Sequence, residues 1–326
     1  MTTSRRAVLL AGLAASAAAA QTPPPMGKRV AGLPQPIETI DLWPKGAPGM
    51  PARPLVETVN ERSTDAQLTD RAVFGITRPR MAVFRPARPN GAALLVTPGG
   101  GYKWVVVDKE GYEIARWLCA RGFTVFVLFY RLPGEGWAAG PDVALSDAQR
   151  AMRLIRHRAR DFGIDPERVG AMGFSAGGHL CCDLIARFAT PTYAPVDAAD
   201  TLSARPMIGA PVYPVVSMTA PAAHAGSRDL LIGRDANPTR EAAHSPDRNI
   251  PVDAPPCFIV HAEDDEVVPV DNALLFAAAL RVRKIPVETH LFAHGGHGFG
   301  LRKAIGKPVG AWPELFLSWA ATTGFA

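Results

Sequence analysis

Past its first twenty residues, the 326-residue chain has no apolar run long enough to cross a bilayer, which argues against a protein built on several membrane-spanning helices. A marked excess of one charge is also lacking. The 35 Lys and Arg residues stand against 30 Asp and Glu, a formal net charge of +5 that falls to +3 once Arg5 and Arg6 are set aside. The one dense basic group (Arg153, Arg156, His157, Arg158, Arg160) falls on an expected amphipathic helix without interleaved aromatics. It reads as a solvated helix face, and no nucleic-acid partner is expected. Cysteine is scarce. Cys119, Cys181, Cys182 and Cys257 match neither a zinc nor a redox spacing, so no metal and no catalytic thiol is expected, while a single disulfide among them stays open. Internal repeats are absent, and no low-complexity segment follows residue 20.

The N-terminus reads as an address. Ser4-Arg5-Arg6-Ala7-Val8-Leu9-Leu10 resembles a twin-arginine export signal, and the apolar stretch Ala7 to Ala20 is too short for an ordinary anchor. Ala18-Ala19-Ala20 supplies small residues for cleavage before Gln21. Residues 1–20 are therefore expected to be a signal peptide, with a periplasmic or secreted mature protein that keeps no stable membrane anchor. The proline-rich stretch 21–70 predicts an arm packing across a domain, and 71–326 predicts one α/β domain with a full core, since 48% of the chain is hydrophobic.

Within that domain, strands are expected at Ala72–Phe84, Ala92–Thr97, Phe123–Tyr130, Arg168–Met172, Pro206–Tyr213, Cys257–Ala262 and Val287–Phe292. Between and after them, helical periods run over Lys109–Arg121, Asp142–Phe162, Ser175–Phe188, Asn272–Arg283 and Gly310–Thr322. Short β-branched runs alternating with longer helical ones indicate a mostly parallel sheet flanked by helices on both faces. In such sheets, chemistry gathers beyond the carboxyl ends of the strands.

The stretch Gly173-Phe174-Ser175-Ala176-Gly177 is a G-x-S-x-G pattern after an apolar segment and at the start of a helix. Ser175 would occupy the apex of a sharp strand-to-helix turn, with the N–H of Ala176 aimed at an oxyanion. Partners should follow other strands. After Cys257–Ala262 comes Glu263-Asp264-Asp265-Glu266, and Asp265 is chosen over Asp264 because the spacing H-x-x-x-D-x-x-V-P resembles the form that the triad acid takes in serine hydrolases of α/β type. After Val287–Phe292 comes Ala293-His294-Gly295-Gly296-His297-Gly298-Phe299-Gly300. The glycines on each side and the following phenylalanine favour His297 over His294 as the base, and a His294-x-x-His297 metal pair lacks a carboxylate at suitable spacing. The run Thr97-Pro98-Gly99-Gly100-Gly101 supplies the second oxyanion donor from Gly100 or Gly101, with the choice open.

The order Ser175, Asp265, His297 is that of the α/β-hydrolases, and the expected chemistry is two-step acyl transfer through an acyl-enzyme, without a cofactor. Tyr102 and Trp104 follow the oxyanion loop and are expected to offer a platform for a sugar ring or an aromatic acyl group. The stretch 216–249 is expected to be a short insertion over the active site, and Arg131 with Asp147 a structural ion pair or cap.

The resemblance is finer than the superfamily. Pro98-Gly99-Gly100-Gly101-Tyr102 with Glu110-Gly111, Phe129 to Pro133, Asp147 to Ala151, Gly173 to Leu180, Pro255-Pro256 and Gly295 to Leu301 resemble secreted bacterial acetyl-xylan or carbohydrate acetyl (feruloyl) esterases. That resemblance implies a serine esterase deacetylating xylan or related plant carbohydrates, with a carbohydrate or small-molecule ester as its partner. A broad carboxylesterase is the alternative, ahead of a prolyl-oligopeptidase-type peptidase or a silent binding scaffold. Pro98 departs from the lipase branch, which has a histidine before the glycines.

Overall fold

Strands that are apolar at every position can bury both faces only when helices cover a parallel sheet above and below. The computed structural model, which describes residues 35–326, forms that arrangement; the expected signal peptide, 1–20, lies outside the described residues. Its strands are β1 Glu38–Asp41, β2 Thr58–Glu61, β3 Arg71–Phe74, β4 Arg80–Phe84, β5 Ala93–Thr97, β6 Val105–Val106, β7 Thr124–Phe129, β8 Val169–Phe174, β9 Gly209–Val212, β10 Cys257–Ala262 and β11 Val287–Phe292. Eight of them form the main sheet, in the order β1-β4-β7-β5-β8-β9-β10-β11. From β7 to β11 all neighbours are parallel, while β4 and β1 continue the β7 edge antiparallel. Every residue of β5, β7, β8 and β10 is buried, so helices cover both faces of the sheet centre. A small antiparallel sheet of β2, β3 and β6 stands apart.

The helices are α1 Glu113–Cys119, α2 Val143–His157, α3 Ala159–Phe162, α4 Ser175–Arg187, α5 Ala225–Ile232, α6 Pro238–Ala243, α7 Asp271–Val282 and α8 Trp312–Thr322. The stretch 216–249, expected to be a short insertion, holds α5 and α6.

Three expected elements differ. The single strand over 72–84 is two strands in different sheets, because the chain turns at Gly75. That residue has φ +65, and a Cβ there would stand 2.2 Å from the Val56 carbonyl oxygen. The helix expected over 142–162 breaks at Arg158 into α2 and α3. The one over 109–121 opens with a π-helical turn, Asp108–Tyr112, before α1. Within the proline-rich stretch, Glu38–Asp41 is the edge strand β1, paired with β4.

The residues after β1 are tied down by a buried ion pair. Arg131 and Asp147, 1% and 0% exposed at their side chains, meet at 2.7 Å. Trp43 Nε1 donates to the same carboxylate at 2.7 Å, and Arg131 donates to the Pro48 carbonyl at 2.7 Å. The pair is structural, as expected. All four cysteines are free and buried, which closes the disulfide reading.

Removing one partner leaves an uncompensated buried charge and an unfilled indole donor. Asp147→Ala is therefore expected to lower stability by about 3–5 kcal/mol in urea unfolding. A loss below about 1 kcal/mol would mean that the pair contributes no more than an exposed one.

Candidate active site

β8 runs straight into α4, and Ser175 at the junction has φ +54, a left-handed conformation that β-carbon-bearing residues adopt only under constraint. The flanking glycines make the turn sterically feasible. A Cβ on Gly173 would lie 2.2 Å from the Gly177 carbonyl oxygen, and one on Gly177 would lie 2.1 Å from that of Thr97. Ser175 is 8% exposed, and Ala176 lies in the first turn of α4, where N–H groups have no intrahelical acceptor.

The structure brings three of the expected side chains together. Ser175 Oγ is 2.9 Å from His297 Nε2, and His297 Nδ1 is 2.7 Å from Asp265 Oδ2. An anionic carboxylate can only accept, so Nδ1 carries the proton and Nε2 is left to accept from the serine hydroxyl. The Asp265 carboxylate is held by further donors. Its Oδ1 accepts from the N–H groups of Val267 and Val268 at 2.9 and 2.8 Å, and His261 Nε2 stands 3.3 Å from Oδ2. Burial alone would raise its pKa, but hydrogen bonds from His261 and His297 outweigh that effect and hold the carboxyl well below the usual range.

Asp264 does something different. It accepts the N–H groups of Gly295 and Gly296 at 2.8 and 2.7 Å and lies 3.4 Å from His294 Nδ1. Adjacent aspartates thus divide two tasks, one shaping the loop that carries His297 and the other orienting its ring. His294, 82% exposed at its side chain, has Asp264 as its partner, while the serine pairs with His297.

The glycine loop after β5 backs onto the serine turn, since a Cβ on Gly99 would meet Ser175 Cβ at 2.9 Å. Gly99 gives its N–H to Glu110 Oε2 at 2.9 Å. Among the described residues, the N–H groups of Gly100 and Gly101 have no protein acceptor. Their φ values, +132 and +65, are ones that favour glycine.

One of the two expected platform rings needs correction. Tyr102 is 2% exposed, with its hydroxyl 2.7 Å from His179 Nδ1 and its ring edge-on to Tyr130, so it packs inward and offers no open face. Trp104 remains half-buried beside the loop, but the Lys103 ammonium and the Arg62 guanidinium lie 4.6 and 5.8 Å from its ring centre. Its ring holds cations rather than lying bare.

Four residues escaped the sequence reading as parts of this site. Glu110, buried, accepts from Gly99 and from the Tyr213 hydroxyl at 3.1 Å. Tyr213 follows β9, packs its ring 5.2 Å from that of His297, and accepts the Gly300 N–H at 3.1 Å. His261 supports Asp265. His179 joins Tyr102 to the insertion through Nε2, which donates to the His244 carbonyl at 2.9 Å. The carbonyl can only accept, so Nδ1 is unprotonated and accepts from Tyr102. Only Tyr213 carried a usable signal, its place just past a strand of the parallel sheet.

A family model described as BD-FAE matches residues 82–280, a span that holds Ser175 and Asp265. The chain is 39% identical over 229 residues to endo-1,4-beta-xylanase B of Butyrivibrio fibrisolvens, covering 70% of this chain and 34% of that protein. It is 31% identical over 227 residues to an acetylxylan esterase of Xylanibacter ruminicola, covering 68% and 44%. The chain thus spans less than half the length of either relative. Among solved structures, the acetyl ester-xyloside bifunctional hydrolase from Caldicellulosiruptor lactoaceticus superposes with a TM-score of 0.72 at 32% identity, over 91% of this chain and 99% of that one.

His179 generates a pH dependence. Burial pushes its pKa down to about 4, so the folded protein keeps it neutral while the unfolded chain protonates near its ordinary pKa of about 6.5. Its contribution is complete above pH of about 6.5 and is lost as the pH falls towards 4, at about 1.4 kcal/mol per unit. His179→Gln is expected to remove that part of the slope when urea unfolding is compared between about pH 7 and 5. An identical slope in the variant would refute the assignment.

Proposed function

The chain belongs to the BD-FAE family of α/β-hydrolases, and on that premise we propose that it is a serine esterase removing acetyl groups from xylan or related plant carbohydrates. The observation that carries the reading is the relay of 2.9 and 2.7 Å from Ser175 through His297 to Asp265. In it, Ser175 Oγ attacks the ester carbonyl carbon while His297 Nε2 takes the hydroxyl proton, and Asp265 stabilises the imidazolium. The developing oxyanion is met by the N–H of Ala176 and by Gly100 or Gly101, each donor being worth about 3 kcal/mol. Collapse expels the sugar alcohol, which leaves with the proton from His297. Water then enters, gives a proton to the same nitrogen and adds to the acyl carbon. The carboxylic acid departs as Ser175 regains its hydroxyl. Every bond and proton balances without a cofactor.

The acetyl-carbohydrate part of the reading is supported by two of the relatives, an acetyl ester-xyloside bifunctional hydrolase and an acetylxylan esterase. Export is supported by Arg5-Arg6, the short apolar stretch and Ala18-Ala19-Ala20. Among the described residues no helix is long and apolar enough to cross a membrane.

A fluorophosphonate probe is expected to label the wild type and not Ser175→Ala. Asp265→Asn, which keeps the shape but favours the wrong tautomer, is expected to lower kcat by about 10⁴. Acetate release from acetylated xylan, beside hydrolysis of 4-nitrophenyl acetate and of a proline peptide, tests the substrate class. Activity confined to the nitrophenyl ester would replace the carbohydrate reading with that of a broad carboxylesterase.

A further inference from the structure

Between the oxyanion loop and the histidine loop, the wall of the site is basic. Trp104 packs its indole on Gly100, where an added Cβ would lie 2.5 Å from Cδ1. Lys103 and Arg62 stand over that ring. At the other end Lys109 Nζ comes within 3.0 Å of where Gly298, the neighbour of His297, would carry a Cβ. Lys303 is exposed at the end of the turn that begins at Phe299, its N–H donating to the Phe299 carbonyl at 3.1 Å. Repulsion, first from Lys109 and also from Arg62, helps pull its ammonium below the ordinary lysine pKa. Arg62 shares the Trp104 ring with Lys103 and, like Lys109, lies within electrostatic reach of Lys303, which links the four cations in sequence.

Two acids face that array, each paired with one of its cations, and Asp70 Oδ1 is left without a hydrogen-bond partner. Asp70 accepts from Arg62 at 2.7 Å. Glu110 lies 3.6 Å from Lys109 but is committed to Gly99 and Tyr213. Among the described residues, neither Lys103 nor Lys303 forms an ion pair. Gathering like charges is unfavourable for the free protein, and a bound anion would relieve it. An acetyl ester is neutral at its reacting carbonyl, so the anion must belong to another part of the substrate. On a carbohydrate, the group that meets this need is the carboxylate of a uronic acid.

We propose that Lys103, Lys303, Lys109 and Arg62, gathered around Trp104, form a subsite for the carboxylate of an acidic sugar, so that acyl groups are taken preferentially from uronate-bearing carbohydrate. This subsite rests on the esterase reading for its place in catalysis. It contacts the sugar and none of the reacting atoms.

The test compares acetate release from an acetylated glucuronoxylan with release from the same polymer after its carboxylates are reduced to alcohols. The wild type is expected to have a kcat/KM about tenfold higher on the acidic polymer. That gap should close at about 1 M salt, where screening acts within about 3 Å. Lys103→Gln with Lys303→Gln should bring the ratio to about one. Lys284→Gln, just before β11 at the opposite end of the strand from His297, should keep the wild-type ratio. Calorimetric titration of Ser175→Ala with a glucuronate-bearing xylo-oligosaccharide and with its reduced counterpart reads the subsite without turnover. Tighter binding of the acidic ligand supports the subsite even where the wild type releases no acetate from either polymer, an outcome that would count against the acetyl-carbohydrate reading and not against the subsite. Equal kcat/KM on the two polymers, or equal binding of the two ligands, overturns the proposal.

Discussion

The geometry of the site depends on one buried carboxylate, that of Glu110. Its two oxygens receive donors from separate parts of the chain: the Gly99 amide of the glycine loop and the hydroxyl of Tyr213, at the end of β9. Tyr213 in turn supports the His297 ring and takes the Gly300 amide. Through three hydrogen bonds, the loop that would hold an oxyanion and the loop that holds the base are referred to the same point. An acceptor buried this deeply is costly to leave unpaired, which makes the arrangement close to all-or-none. The orientation of Gly100 and Gly101 and the placement of His297 are thereby fixed together.

A second layer of buried charge sits farther out. Arg131 and Asp147 are almost fully enclosed, and such pairs are weak sources of stability because desolvation consumes much of the attraction. Their effect is better described as positional. The pair satisfies the Trp43 indole and the Pro48 carbonyl, and so holds the segment after β1 against the segments that carry the two charges. The same logic recurs at His179, where one imidazole satisfies Tyr102 on the glycine loop and the His244 carbonyl of the insertion.

How much of this was legible follows from where each signal lives. The serine turn could be read because its glycines answer a local clash, and Asp265 and His297 because each follows a strand in a sheet whose chemistry gathers at one end. The break inside 72–84 was hidden, since the demand for glycine at position 75 comes from the Val56 carbonyl, a contact made only in the folded chain. Tyr102 was misjudged for a related reason. Nothing near an aromatic in a loop says whether it faces solvent, and its inward turn answers a buried histidine 77 positions away. Glu110 was visible only as part of a resemblance, because an acidic residue beside Lys109 looks like ordinary surface until the loops fold around it.

The four free thiols carry a further consequence. Burial pushes Cys119 and Cys181 up to about 12, and Cys182 and Cys257 also lie well above the ordinary thiol value. Since thiolate is the form that peroxides convert to sulfenic acid, almost none of the oxidisable species exists at neutral pH, and what exists is walled off from solvent. The fold therefore tolerates an oxidising milieu by concealment rather than by cross-linking, and its integrity owes nothing to thiol-exchange machinery.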